Sequence, residues 1–211
     1  HQPNYLPYLG FFDKMRKADF FVVVDTADFT DSEFIHRNKI RTKDGWQWLT
    51  IPVGHTSEKI NDIRLADSGW QEKHWHAIKT NYKMTGRNRD FHDELGSIYT
   101  SLGFTSLVQA SMEFIRLINE HLMWVEAKTK IIYASELDIS SKLKATDRIV
   151  AICETLGADT YLAGKGSKSY LELEKFIPAG IKIEWQDFTH PVYKQRYGPF
   201  IPNLSAIDYL L

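Results

Sequence analysis

The chain has 211 residues, with 26 Lys and Arg against 27 Asp and Glu and a formal net charge of −1. That balance leaves no global basic field for gripping nucleic acid or an anionic membrane. Hydrophobic residues at 43% and charged residues at 25% are ordinary globular composition, which argues against a disordered chain. Against a prior of about 150 residues per domain, the length reads as one domain with some elaboration. The single cysteine, Cys153, rules out an intramolecular disulfide and a Cys-rich zinc centre, and fits a reducing cytoplasm. Apolar runs such as Phe20 to Val24 are far shorter than the ~20 residues of a membrane helix, so no membrane span is expected.

The first ten residues, His1-Gln2-Pro3-Asn4-Tyr5-Leu6-Pro7-Tyr8-Leu9-Gly10, carry two prolines and a glycine and read as a rigid polar loop. Phe11 to Ala18 follows as a short helix. Phe20 to Val24 is a strand buried on both faces, ending at the polar pair Asp25-Thr26. Trp46 to Val53 is a second strand. Helices are expected over Trp70–Tyr82, Asp90–Leu102 and Ser106–Glu126, the last with a stripe of Val108, Met112, Ile115, Ile118, Leu122 and Val125. The remainder alternates: strand Lys130–Tyr133, helix Thr146–Leu156, strand Thr160–Ala163, helix Ser169–Lys175, strand Ile181–Trp185 and a final helix from about Asn203. The pattern predicts an α/β fold, a single domain over 1–211 with a mainly parallel sheet and a helical insertion at about 67–127. Sheets of that kind bind ligands at the carboxyl ends of their strands.

Four constellations could carry chemistry. The opening loop presents His1, Gln2 and Tyr5 ahead of a helix start, where free amides favour an anion. His36 to Arg41 places Arg37, Lys39 and Arg41 on one face if extended, suiting a diphosphate or a solvated edge. Gly164-Lys165-Gly166-Ser167-Lys168 lies between a strand and a helix, where glycines, amides and lysines can cradle phosphate, although the spacing is not that of a Walker loop. Thr146-Asp147-Arg148 reads as a helix cap with an exposed Arg. His74 and His76 lie two apart on a helix and cannot share a metal, so no metal centre is expected. Cys153 lies on an apolar helix face as a structural thiol, and general-base candidates are His1, His74 and His190.

The stretches HQPNYLPYLGFFDK, FVVVDTADF, HRNKI, GWQWLTIPV, WQEKHWHAIKTNY, ICETLGADTYLAGKGSKSYL and HPVYKQRYGPFIPNLSAIDYLL resemble, in order, the WbqC-like protein family. Tyr8 stands where that family usually has Trp, and Thr85-Gly86-Arg87-Asn88 replaces a shorter turn. By that resemblance a short strand would precede His1 and a few residues would follow Leu211. The recurrent polar positions implied are His1, Gln2, Tyr5, Asp25, Arg37, Asn38, Lys73, His74, Tyr82, Gly164, Tyr170, His190, Tyr193 and Gln195. Lys39 and Lys168 join them from the cationic segments.

Such families are bacterial and accompany surface-polysaccharide and O-antigen genes. The resemblance therefore implies a cytoplasmic transferase passing an acyl or aminoacyl group to an amino-sugar nucleotide. His1 or His74 would deprotonate the sugar amine, Arg37 and Lys39 would hold the diphosphate, and Lys73 or backbone amides would stabilise the oxyanion. An alternative is an ATP-dependent nucleotidyltransferase or adenylate-forming enzyme using Mg²⁺, with the opening loop and the 164–168 loop around the triphosphate. A third reading is a non-enzymatic ligand- or partner-binding protein. The partner expected in the first is a nucleotide sugar, with an acyl or aminoacyl donor; no nucleic acid is expected, and a homo-oligomer is compatible.

Overall fold

The computed structural model describes residues 1–31, 34–54, 59–66, 69–83, 88–122, 129–143 and 145–211. After the opening loop comes helix α1 (Leu9–Arg16), which buries Leu9, Phe11, Phe12 and Met15. Strand β1 (Phe20–Val23) follows directly. The β-branched and aromatic run forms a strand because such side chains pack well on a pleated surface. The segment from His36 is also strand: β2 (Arg37–Thr42) pairs antiparallel with β3 (Gly45–Thr50) around a tight turn, with Arg37 opposite Thr50 and Lys39 opposite Trp48.

Three consecutive helices stand between β3 and the next strand: α2 (Trp70–Asn81), α3 (Arg89–Ser101) and α4 (Leu107–Leu122). They occupy the stretch in which the helical insertion is expected, whose outer limits lie outside the described residues, as do the Thr85–Arg87 turn and Val125. The apolar stripe of α4 is rotated from the expected one. Leu107, Ala110, Phe114 and Leu117 are buried with Ile115, Ile118 and Leu122, whereas Val108 and Met112 lie at the margin.

Strand β4 (Lys130–Tyr133) then returns parallel to β1 in the register Phe20 to Lys130. Helix α5 (Ala145–Thr155) leads into β5 (Thr160–Ala163), which pairs parallel with β6 (Lys182–Trp185). The result is an α/β arrangement built from two parallel pairs and one antiparallel hairpin, rather than one continuous sheet. The helix expected over 169–175 is replaced by two 3-10 turns, Lys165–Ser169 and Leu173–Lys175. A run of seven residues is too short to repay helix nucleation, and the stretch just before it is broken by Gly164 and Gly166. The last helix, α6 (Ile207–Leu210), starts after Asn203, whose φ of 59° is left-handed and incompatible with a helical turn.

The core falls into two clusters. The larger joins the opening loop, α1, β1, the hairpin, α2 to α4 and α6. The smaller gathers Cys153, Ala163, Leu171, Phe176 and Ile181 between α5, β5 and β6. Arg41 does not share an open cationic face with Arg37 and Lys39. It is 1% exposed, and its guanidinium donates to the carbonyls of Thr42 (3.2 Å), Tyr197 (3.0 Å), Pro199 (3.0 Å) and Gly45. A buried guanidinium satisfied by four carbonyls pins the extended C-terminal segment to β2. Arg41→Met strips those carbonyls of donors and should cost about 3 kcal/mol or more in urea unfolding. Arg41→Lys should recover little, because one ammonium cannot reach all four.

Candidate functional site

A cleft of about 770 Å³ opens between the two core clusters. Its lining comes from the carboxyl ends of the strands and the segments that follow them. After β1 these are Val24, Ala27 and Asp28; after β5, Gly164 to Ser167 and Tyr170; after β6, Gln186 and Phe188. The opening loop adds His1, Gln2 and Tyr8, α1 adds Gly10 and Lys14, and α5 adds Arg148, Ile152 and Cys153. In α/β folds ligands bind in the crevice outside the carboxyl ends of parallel strands, and the cleft lies there.

The opening loop is held rigidly. The His1 nitrogen donates to the Val22 carbonyl (2.7 Å) and its carbonyl accepts from the Val24 amide (2.8 Å), so the loop leaves along β1. The His1 ring packs edge-on against Phe11 and donates from Nδ1 to the Gln2 carbonyl (2.9 Å). Its Nε2 is then the nitrogen that can face a ligand. Across the cleft's other segments, Ser167 folds its hydroxyl onto the Gly164 carbonyl (2.7 Å), tightening the glycine loop. Lys165 reaches Asp187 (3.2 Å), and Lys168 lies 4.9 Å over the Trp185 ring. A Cβ built on Gly164 or Gly166 meets no atom within 4 Å, so both glycines leave open space where a ligand can approach. Burial pushes the Cys153 thiol up to about 11, which leaves it protonated and inert as a nucleophile near neutral pH.

The structure brings together His1, Gln2, Gly164 and Tyr170 of the sequence-derived site residues, with Lys168 on the same loop. The others stand elsewhere. His74 is 6% exposed in the core, with Nδ1 2.9 Å from the Tyr5 hydroxyl, which in turn hydrogen-bonds with Tyr99. Burial drives its pKa down to about 4, against a weaker opposing effect from its bond to the Thr50 backbone. A neutral imidazole between tyrosines is a core element, and Lys73, one residue before it, is exposed on the far side of α2.

Arg37 and Lys39 stack over Trp48 (4.5 Å) and Trp46 (4.1 Å) on the outer face of the hairpin, away from the cleft lining. Asn38 fastens the opening loop by donating to the Leu6 carbonyl (2.7 Å). Asp25 accepts from the Ser135 amide (3.0 Å) and hydroxyl (2.6 Å), joining the ends of β1 and β4. Tyr82 (2.9 Å), Tyr193 (2.7 Å) and Gln195 (2.7 Å) all donate to the buried Asp208 carboxylate. His190 donates from Nδ1 to the Pro191 carbonyl (2.9 Å) and packs among Phe188, Tyr193 and Phe200.

Sequence reasoning missed Lys14, Tyr161, Gln186 and Phe188, and read Arg148 as exposed when it is 9% exposed at the cleft. A signal for Lys14 did exist: it stands four residues after Gly10, so both occupy one face of α1.

Two measurements follow from this geometry. A Cβ on Gly10 would lie 2.6 Å from the Tyr8 hydroxyl oxygen, against a ring that lines the cleft. Gly to Ala inside a helix ordinarily stabilises by about 0.5–1 kcal/mol. Here Gly10→Ala should instead destabilise by about 1–3 kcal/mol in urea unfolding, and adding Tyr8→Ala should recover more than about 0.5 kcal/mol. For His74, the folded state resists a proton that the unfolded chain takes up near the ordinary pKa of 6.5. Stability is therefore intact above pH 6.5 and falls as pH drops towards 4, by on the order of 3 kcal/mol. An NMR titration of the His74 ring should show it neutral at pH 5.5, and a midpoint at 6 or above would contradict this.

No solved structure matches the chain. The uncharacterized protein Rv1507c of Mycobacterium tuberculosis is 30% identical over 213 residues, covering 99% of this chain and 90% of its own length. The model of the WbqC-like protein family matches residues 2–211. Apart from His1, the parts that build the cleft, from Gln2 to the loop after β5 and on to the C-terminal tail, fall within that match, and the chain belongs to the WbqC-like protein family.

Proposed function

We propose that the protein is a nucleotide-using enzyme of bacterial surface-polysaccharide biosynthesis, which adenylates a carboxylate and passes the acyl group to an amine. One observation carries this reading: the opening loop and the Gly164–Ser167 loop line a single cleft at the carboxyl ends of β1 and β5. That is the arrangement the ATP-dependent alternative requires. The arrangement for direct acyl transfer with His74 as base and Arg37 and Lys39 on the diphosphate finds less support, because none of those three side chains lines the cleft.

In the first half-reaction a carboxylate oxygen attacks the α-phosphorus of ATP, supplied as its magnesium complex. The bond to the bridging oxygen breaks and pyrophosphate leaves, giving an acyl adenylate. In the second, an amine nitrogen attacks the acyl carbon and AMP leaves. The amine loses one proton, for which His1 Nε2 is the acceptor at the cleft. The family setting favours the amine of an amino-sugar nucleotide as acceptor. Backbone amides of the glycine loop would meet the phosphates, as such loops do at the ends of parallel strands. A cleft of about 770 Å³ lies in the range for a nucleotide-sized ligand.

Thermal shift with ATP and Mg²⁺, an amino-sugar nucleotide, its hydroxyl analogue and an acyl-CoA tests the reading. At a hundredfold excess over Kd, ATP–Mg should add roughly 2.7 kcal/mol, or about 5–10 °C at this chain length. Gly166→Val should fold normally, since the added Cβ meets no atom within 4 Å, and should lose most of that shift. No shift with ATP–Mg, or an unchanged shift in Gly166→Val, would remove the proposal. A shift with the amino-sugar nucleotide and acyl-CoA alone would restore direct acyl transfer.

A further inference from the structure

We infer that Lys14 is the cation that holds the phosphate group of the ligand inside the cleft, a conclusion that rests on the cleft being the nucleotide site. Three basic side chains line that cleft: Lys14, Arg148 and Lys165. Two are already committed. Arg148 donates to the carbonyls of Leu143 (3.0 Å) and Thr26 (3.1 Å), tying the start of α5 to the segment after β1. Lys165 is exposed and paired with Asp187 at 3.2 Å.

Lys14 differs from both. Among the described residues it has no carboxylate partner, although its neighbour Asp13 binds Arg16 (2.8 Å) and Lys17 (3.0 Å). Its ammonium lies 5.6 Å over the Tyr161 ring, a contact that orients a cation but does not neutralise it. A lysine withdrawn from water without an acid is costly unless an anion completes it. Asp13 is taken by Arg16 and Lys17, and Asp28 of the cleft lining is held by Lys59, so the missing charge has to come from a ligand in the cleft. Burial accordingly pulls Lys14 down to about 8 in the free protein. Its place one helical turn after Gly10 puts both on the face of α1 that borders the cleft, with the Tyr8 ring lying over Gly10.

Pyridoxal 5′-phosphate combines a phosphate with an aldehyde and condenses with an unprotonated lysine amine, losing water; borohydride then reduces the imine to a stable amine. Applied to the wild-type protein and read by peptide mass spectrometry, it should mark Lys14 ahead of the other lysines. ATP–Mg and inorganic pyrophosphate should each protect Lys14. In parallel, Lys14→Met should weaken ATP–Mg binding at least tenfold and Lys14→Arg by only a few-fold, since guanidinium keeps the charge. Should Lys14→Met fail to fold, the labelling of the wild type decides by itself. Labelling that spares Lys14, or marks it without protection by either anion, would overturn the inference, as would Lys14→Met binding ATP–Mg like the wild type. Protection by pyrophosphate but not by ATP–Mg would uphold Lys14 as the anion site while overturning the nucleotide reading.

Discussion

The cleft exists because one side-chain amide spans the gap between two cores. Gln186, just past β6 and 7% exposed, donates from Nε2 to the Gly10 carbonyl (2.8 Å) and to the Asp13 carboxylate (3.0 Å) on α1. Asp13 is itself 3% exposed. Its burial would raise the carboxyl pKa, but hydrogen bonds from Gln186, Lys17 and Arg16 outweigh that and hold it below the ordinary value. A charged, fully engaged acceptor fixes the amide far better than a neutral one could. The distance between α1 and the β5–β6 pair, and hence the width of the cleft, is set there. Gln186 acts at both ends of this problem, since it also lines the cavity it defines.

Polar residues elsewhere serve architecture in place of regular hydrogen bonding. The segment from Gln186 to Ala206 contains no helix or strand, yet it crosses the molecule. It is fastened by Arg41 on its carbonyls, by Gln195 bonding Ile201 in both directions at 2.8 Å, and by the Asp208 carboxylate collecting Tyr82, Tyr193 and Gln195. Each supplies partners that a ladder would otherwise provide. The polar side chains of this tail therefore serve to close the chain on itself.

The strands were readable where apolar β-branched runs were bounded by polar stops, and β4 and β5 fall at Lys130–Tyr133 and Thr160–Ala163 as expected. The glycine loop and the opening loop were legible as loops beside a strand or a helix start, a pattern shared by ordinary turns, and the structure places both at the cleft. What failed was the orientation of single side chains. His74 sits at four-residue spacing between Trp70 and Ile78, all three buried on one face of α2, and that spacing marked it as core. Arg37 and Arg41 alternate correctly along β2, but only the packed tail turns Arg41 inward. For Lys14 the sequence offers its four-residue spacing from Gly10, which places it on that face of α1 without showing that the face borders a cavity.

The division of the core has a consequence for how the molecule breathes. The smaller cluster rests on Cys153, Ala163, Leu171, Phe176 and Ile181 and buries far less than the larger one. Opening free energy scales with such burial, so partial unfolding events that free β5 and β6 while leaving α2 to α4 intact are expected to cost less than global unfolding. Whatever fills the cleft touches both clusters at once and must suppress those events, acting as the missing layer of a sheet that the protein leaves in two halves.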